Sequence, residues 1–581
     1  MAIDRRKLIK GGAIAPVAVA ACAPVQNEKT NATNRSLQDQ SITVETIAEA
    51  EKLQGVSYTD AQRTFMLDKL EGRLAALASL RSTSLENSIS PAVSFTPRLR
   101  RFRVRSQKNT VTLAGSSEQP FPDNAEDIAY ATVAELGAWL RRGLLTSEAL
   151  SEIYLERIGR LDARLHAFIT VTPELALEQA RKADRELQAG RDRGPLHGIP
   201  YGLKDLFDVK GVRTTWGAAP YADRIADEDA AVYEKLKRAG AVLLGKTSCG
   251  ALAYGDQWYQ ARTNNPWNVR EGSSGSSAGS AAATAAGLCG FSIGTETLGS
   301  IISPSERCGL AGLRPTFGRV SRAGSMALCW SLDKVGPICR SVEDTALVLA
   351  AVNGYDADDP GTGRVGFTYD GGADLSAMTV AYAPDLLADG DDTDARAFEA
   401  LKSLGVSFTE FQMPEIDTAA LYDIVNVEAG AAFADLALSP EIDQLTRQDD
   451  EAWPTIFRAA RFVSAVDYVQ MQRLRRTLME QMAAAFEGVD AYFGPHFAGN
   501  MLLATNLTGA PQLTVPAGFA QTPNRSRSKA ASASKPIAVE TARTPRCVSL
   551  WGNIYQDGKI IALGRALEAA LGASSERPPG F

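Results

Sequence analysis

The chain has 581 residues, 45% of them apolar, which is enough for a large buried core, and a formal net charge of −7 that leaves no electrostatic footprint for nucleic acid. His166, His197 and His496 are the whole histidine supply, so candidates for a histidine base are few. Seven cysteines follow neither a disulfide framework nor a CxxC metal pattern and read as buried thiols.

The first residues read as an address rather than as fold. Arg5-Arg6-Lys7-Leu8-Ile9-Lys10 resembles a twin-arginine export signal, and the apolar run 11–21 is too short for a bilayer-spanning helix, which needs ~20 residues. Val19-Ala20-Ala21-Cys22 resembles a lipobox. On that reading Cys22 is the lipidated first residue of an exported bacterial lipoprotein, periplasmic or membrane-anchored, touching the membrane only through its anchor. The plainer alternative is an ordinary signal peptide with a chance cysteine. The expected organisation is an export segment over 1–22, a tether and helical arm over 23–125, and a globular domain over 126–575.

Within the arm, the polar stretch from Gln26 to Glu45 reads as tether. Met66, Leu70, Leu74, Leu77 and Leu80 recur at helical spacing and predict a helix over 59–80, with Asp60 as its cap. Residues 82–125 have no clear periodicity.

The globular part alternates helix and strand, which argues an α/β fold. A helix over 146–161 buries Leu150, Tyr154, Ile158 and Leu161; a strand follows over 167–171, then a helix over 173–188. The run Pro200–Leu203 ends in Lys204. Gly240 to Thr247 fits the phosphate-loop pattern GxxxxGK[ST], but its four intervening residues, Ala-Val-Leu-Leu, are an apolar strand and cannot form an open amide cradle, so nucleotide binding is rejected. A Ser/Gly-rich stretch from Gly272 then feeds an Ala-rich helix expected over 280–287, a buried strand expected over 289–293, and a glycine-containing turn that delivers Ser300. Ser276 and Ser300, 24 residues apart, therefore sit on loops that bracket one helix–strand unit. Ser341 and Asp344 form a capping pair for a helix to Val352. Further on, a strand is expected over 379–383, helices near 392–403 and 457–487, an exposed loop over 524–535, and a closing segment over 552–571.

Gly275-Ser276-Ser277-Ala278-Gly279-Ser280 followed by Glu296-Thr297-Leu298-Gly299-Ser300 closely resembles the motif of the amidase signature family. Gly194 to Asp208, Cys308 to Gly318, Thr505 to Gly509 and Val515 to Gly518 extend the resemblance over roughly 127–345 and 491–571. It implies a large mixed β-sheet flanked by α-helices, with the N-terminal helical segment as an extension. It also implies a Ser-Ser-Lys triad of Lys204, Ser276 and Ser300, with a cis peptide at the middle serine. Three positions depart from the family pattern: Glu296 stands for Asp, Leu298 for Gly, and Ile302 for Arg.

The chemistry agrees with the resemblance. Amide hydrolysis needs a nucleophile, a base, a proton for the departing amine and an oxyanion site. A serine hydroxyl is weak until a base activates it, and a lysine serves only when neutral. At an unperturbed pKa of ~10.4 a lysine is almost wholly protonated at neutral pH, and burial is what lowers that value. A Lys beside Asp205 would ordinarily be a solvated surface pair; the two serine motifs outweigh that reading. Ser300 is the expected nucleophile, Ser276 the relay and Lys204 the base. The backbone N–H groups of Thr297, Leu298, Gly299 and Ser300 are the expected oxyanion site. Tyr254, Trp258, Met326 and Trp330 flank the motif as candidate pocket residues that could equally be core.

Two alternatives differ in class. An α/β-hydrolase-type esterase would use Ser277, in the GxSxG match over 275–279, with His496; it needs a strand before Gly275, whereas Asn264–Asn268 reads as a turn. A non-catalytic, lipid-anchored binding protein has no use for the intact Lys204, Ser276 and Ser300. One component of the tRNA-dependent amidotransferase, its amidase-type chain, shares the motif, but an export signal is incompatible with that cytoplasmic role. The expectation is therefore a small amide substrate, with no tRNA, ATP, metal or other cofactor.

Overall fold

Short β-rich runs punctuated by glycine and proline build a sheet, and amphipathic stretches between them cover its faces. The computed structural model describes residues 42–82, 85–89, 91–99, 107–115, 120–416, 418, 420–525 and 541–581. Arg5-Arg6, Cys22, most of the tether and most of the expected loop over 524–535 lie outside these residues.

The chain divides into two units, Met1–Leu80 and Arg81–Phe581. The described part of the first holds helix Val44–Gln54 and all but the last residue of helix Asp60–Arg81. The second helix begins where the periodicity placed it, but its cap is Thr59, not Asp60. The Thr59 hydroxyl accepts the Gln62 amide at 3.3 Å, while the Gln62 side chain accepts the Thr59 amide at 2.8 Å. Asp60 instead accepts from Arg63, which also grips Glu51 of the preceding helix with two hydrogen bonds of 2.9 and 2.7 Å.

In the second unit the strands, in chain order, are β1 (Thr110–Thr112), β2 (Phe168–Val171), β3 (Pro200–Lys204), β4 (Val242–Thr247), β5 (Asn264–Asn265), β6 (Asn268–Gly272), β7 (Phe291–Glu296), β8 (Ala311–Arg314), β9 (Lys334–Cys339), β10 (Thr368–Asp370), β11 (Thr379–Tyr382), β12 (Ser407–Glu410), β13 (Ala491–Pro495), β14 (Gln512–Pro523) and β15 (Thr541–Trp551). Eleven of them form one sheet, in the order β12-β11-β13-β15-β14-β8-β9-β7-β3-β4-β2. It is mixed: β3 runs parallel to β4 and β7, whereas β9 runs antiparallel to β7 and β8. The interior strands β3, β4 and β9 are buried along their whole length, as expected of strands covered on both faces.

Most expected elements are present with edges moved by a few residues. The helix over 147–165 buries Leu150, Tyr154, Ile158 and Leu161; the helix Pro173–Gln188 has the expected ends; and Ser341 caps Val342–Val352 by accepting the Asp344 amide. The Ala-rich helix is Ala278–Ala285, starting directly after the serine pair, and the strand after it is Phe291–Glu296. Within the unpatterned arm β1 pairs parallel with β10. Asn264–Asn268 contributes to a small antiparallel hairpin of β5 and β6, so a short strand does precede Gly275 where a turn was expected. The phosphate-loop match Gly240–Thr247 is the buried strand β4 with the turn before it. No described helix is long and apolar enough to cross a membrane.

Candidate active site

Lys204 ends β3, the third strand from one edge of the sheet, between β7 and β4. Leu203 pairs with Ile293 on β7, so the next residue emerges beside Thr295. The side chain is fully buried. Its Nζ lies 2.8 Å from Ser276 Oγ, 2.8 Å from Thr295 Oγ1 and 3.1 Å from Ser277 Oγ, with no carboxylate in contact among the described residues. Burial, the largest cause, outweighs the opposing Cys249, Asp333 and Glu296 and lowers its pKa to about 7. Asp205, its neighbour in sequence, faces elsewhere: it is ion-paired at 3.1 Å with the equally buried Lys246. The phosphate-loop lysine is thus the counter-ion of Asp205.

Ser276 and Ser277 sit just before the Ala-rich helix, and the Gly275–Ser276 peptide is cis. Only glycine fits at 275, because a Cβ there would lie 1.8 Å from the Gly255 carbonyl oxygen. The Ser277 hydroxyl donates to the Thr295 carbonyl at 3.1 Å and accepts the Thr295 amide at 3.2 Å. Its single proton is committed, which makes Ser277 a strut between the helix and β7. Gly275→Ala is expected to abolish activity, as measured on purified protein, because backbone stands on both sides of that contact.

Ser300 ends the turn 297–300, whose Gly299 has φ 82°, the left-handed conformation that glycine adopts without strain. Among the described residues the N–H groups of Leu298, Gly299 and Ser300 have no protein acceptor, whereas the next two, of Ile301 and Ile302, donate to Glu296 Oε2 at 2.9 and 3.0 Å. The other Glu296 oxygen accepts from Arg314 and Asn506, each at 3.0 Å. Burial would raise the carboxyl's pKa, but the Arg314 and Lys334 charges and these hydrogen bonds hold it below the usual carboxylate range. The departure from the family's Asp therefore has a structural role: the longer side chain pins the Ser300 turn at one end and reaches the Arg314 strand at the other. On the far side, Thr297 Oγ1 donates to Asp333 at 2.6 Å, and Asp333 accepts the Leu328 and Cys329 amides. Glu296→Gln is expected to lower stability by about 3–5 kcal/mol, because Arg314 is left buried without its counter-charge; a urea titration measures this.

Ser300 opens onto a cleft of about 1060 Å³. Thr297, Leu298, Gly299 and Ser300 line it, as does Tyr254, whose ring packs 5.2 Å from Trp453. The other predicted pocket residues do not line it. Trp258 is buried against Tyr259; Met326 packs with Leu206 and Trp216 beside a small separate cavity; and the half-buried Trp330 presents its carbonyl oxygen to Arg322. The sequence reading missed the apolar lining from Tyr422, Val425, Ile456, Phe497 and Leu502, and also Thr295 against Lys204. His496 does not meet Ser277. It is buried beside Ser549, 3.4 Å from its hydroxyl, and burial lowers its pKa to about 4. No group of His, Cys, Asp and Glu able to hold a metal occurs among the described residues.

Comparison with known proteins agrees with this architecture. Residues 149–561 match the Amidase family. The GatA-type chain of the glutamyl-tRNA(Gln) amidotransferase of Methylococcus capsulatus is 35% identical over 440 residues, covering 67% of this chain and 90% of that relative. Its counterpart in Methylobacillus flagellatus is 31% identical over 502 residues, covering 78% of this chain and 99% of the other. Among solved structures, the native peptide amidase of Stenotrophomonas maltophilia is similar with a TM-score of 0.66 and 29% identity, over 78% of this chain and 98% of that one. With the large mixed sheet, the glycine–serine loop and the second serine turn in place, the chain belongs to the amidase signature family and has its fold.

Proposed function

We propose that this protein hydrolyses carboxylic amides through an acyl-enzyme on Ser300, with Ser276 as relay and Lys204 as base. The supporting observation is the Lys204 amine: fully buried, shifted to about 7, and 2.8 Å from Ser276 Oγ. A neutral amine offers two N–H bonds and one lone pair. Thr295 Oγ1 and Ser277 Oγ take the former, so the lone pair is left for the Ser276 proton. Ser300 Oγ attacks the substrate carbonyl and passes its proton to Ser276, whose own proton moves to Lys204. The carbonyl oxygen, now an oxyanion, accepts from the free N–H groups of the Ser300 turn. When the C–N bond breaks, the proton returns from Lys204 through Ser276 to the departing amine. Water then enters by the same relay and releases the acid.

The chain works as a free-standing hydrolase outside the cytoplasm. That part rests on Arg5-Arg6 and Val19 to Cys22, and on Ile302, which is buried in an apolar cluster with Ile301, Leu310 and Ile338. The likeness to the amidotransferase chains favours the other reading, a component that works only within a complex. Peptide mapping after fluorophosphonate treatment of the purified chain, with an amide panel assayed alongside, tests the proposal. An adduct on Ser300 and turnover without partners are expected; an adduct on Ser277, or turnover only with partner chains, overturns it. Export is tested separately. Changing Arg5 and Arg6 to Lys is expected to hold the precursor in the cytoplasm, and Cys22→Ser to abolish radiolabelled-lipid incorporation. Normal fractionation and labelling of these variants would refute the address.

A further inference from the structure

We propose that Arg307 receives the carboxylate of an anionic amide substrate in the Ser300 cleft. The inference rests on the amide-hydrolase reading and adds a substrate class to it.

The helix Ile302–Cys308 leaves directly from the Ser300 turn. Ser303 and Arg307, four residues apart, lie on one helix face, and both line the cleft with Ser300. At a rise of ~1.5 Å per residue, Arg307 is about 10 Å along the helix from Ser300. Helical side chains lean toward the N-terminus, so the guanidinium leans back toward the nucleophile. A carboxylate bound there belongs to a substrate that carries it several bonds from the scissile carbonyl.

Arg307 has few partners. Nη1 donates to the Gly272 carbonyl at a long 3.4 Å; Nε is buried with no acceptor; and no carboxylate is within ion-pair distance among the described residues. The other cleft arginines differ. Arg525 is paired with Glu271 and Glu306, Arg447 with Asp449, and Arg262 bonds Asn264 and backbone carbonyls. Burial and the nearby Arg525 charge disfavour the Arg307 cation; Glu271 and Glu306 favour it without outweighing them, and an incoming anion acts in the same sense. The acids of the cleft do not already serve as that anion. Asp256 accepts the Ser274 amide and has its carboxyl pushed up by burial in spite of the Arg262 and Arg307 charges; Glu271 and Glu306 are committed to Arg525, and Asp449 to Arg447; Asp450 is exposed. An unpaired guanidinium is the side chain best suited to a planar carboxylate, which it holds with two parallel hydrogen bonds.

The test uses two pairs of anilides. Glutaryl-4-nitroanilide against butyryl-4-nitroanilide places the carboxylate on the acyl side; butyryl-4-aminobenzoate against butyrylanilide places it on the amine side. Wild type is expected to favour the anionic member of one pair by about 10–100-fold in kcat/KM, the range of a charge-assisted hydrogen bond. Arg307→Gln is expected to erase that ratio by raising KM for the anionic member, and Arg307→Lys to restore part of it. A purely structural Arg307 would depress both members alike. No preference in wild type, or a preference that survives Arg307→Gln, overturns the proposal. Calorimetry with glutarate and 4-aminobenzoate, the product acids, separates it from the parent reading. If no anilide is turned over, the hydrolase reading fails, yet binding of one acid by wild type and not by Arg307→Gln upholds the anion site; binding by neither or by both overturns it.

Discussion

Lys204→Arg is expected to lose amide turnover nearly as completely as Lys204→Met, by about 10²–10⁴-fold in kcat/KM, the usual contribution of a positioned base. Arginine keeps the positive charge and the donors but does not deprotonate in a protein. Methionine keeps the chain length and apolar body, and reports on the site if the larger arginine disturbs folding. In wild type, kcat/KM is expected to follow the neutral amine: low while Lys204 is protonated, rising with pH through about 7 and level above. Burial lowers that pKa, so the rise is expected well below the pH at which a free lysine loses its proton. Amides are expected to suffer more than matched esters, because a leaving amine needs the returning proton and an alkoxide needs it less. A folded Lys204→Arg enzyme with near-normal amide turnover would rule out the relay.

Ser300→Ala is expected to show the largest effect, a fall in kcat of about 10⁶-fold with complete loss of fluorophosphonate labelling, in line with removing the nucleophile of a triad that acts as a unit. Ser276→Ala should be severely impaired too, since it breaks the only described contact between Lys204 and the proton path. Ser277→Ala discriminates. Its hydroxyl spans the Thr295 carbonyl and amide, so truncation loosens the helix against β7 and leaves the labelling site intact. Labelling that persists in Ser300→Ala and disappears in Ser277→Ala would reverse the assignment.

Lys204, Ser276 and Ser300 could be proposed from sequence because they fall in short motifs whose residue types have few other uses together. The α/β class was legible from periodicity, and strands such as β4 from unbroken apolar runs. The cleft was not. Its apolar side comes from Tyr422, Val425 and Ile456, in a stretch with no motif, and from Phe497 and Leu502 much later. Nothing local marks such residues as neighbours of Ser300. Trp258 and Met326, near the motif in sequence, became core because strand and helix direction, not sequence distance, decides which side faces the substrate. Glu296 was visible only as a departure. Its role needs Arg314 and Asn506, and the pattern of one segment carries no information about partners so far along the chain. Asp60 lost the cap to Thr59 because an adjacent hydroxyl with a glutamine three residues on forms the reciprocal pair.

The position of β14 and β15 has a consequence for how the enzyme comes into being. These strands arise near the end of the chain yet insert between β8 and β13, and Gln512 on β14 holds Arg314, the same side chain that anchors Glu296 beneath the Ser300 turn. The proposed triad residues are therefore all synthesised long before the scaffold that holds them exists. Contacts of such sequence separation form late and slowly, so a nascent or C-terminally truncated chain carries Lys204, Ser276 and Ser300 without a fully anchored Ser300 turn. Reactivity should appear only once the final strands have docked, making acylation by a serine-directed probe a direct clock of the last folding step.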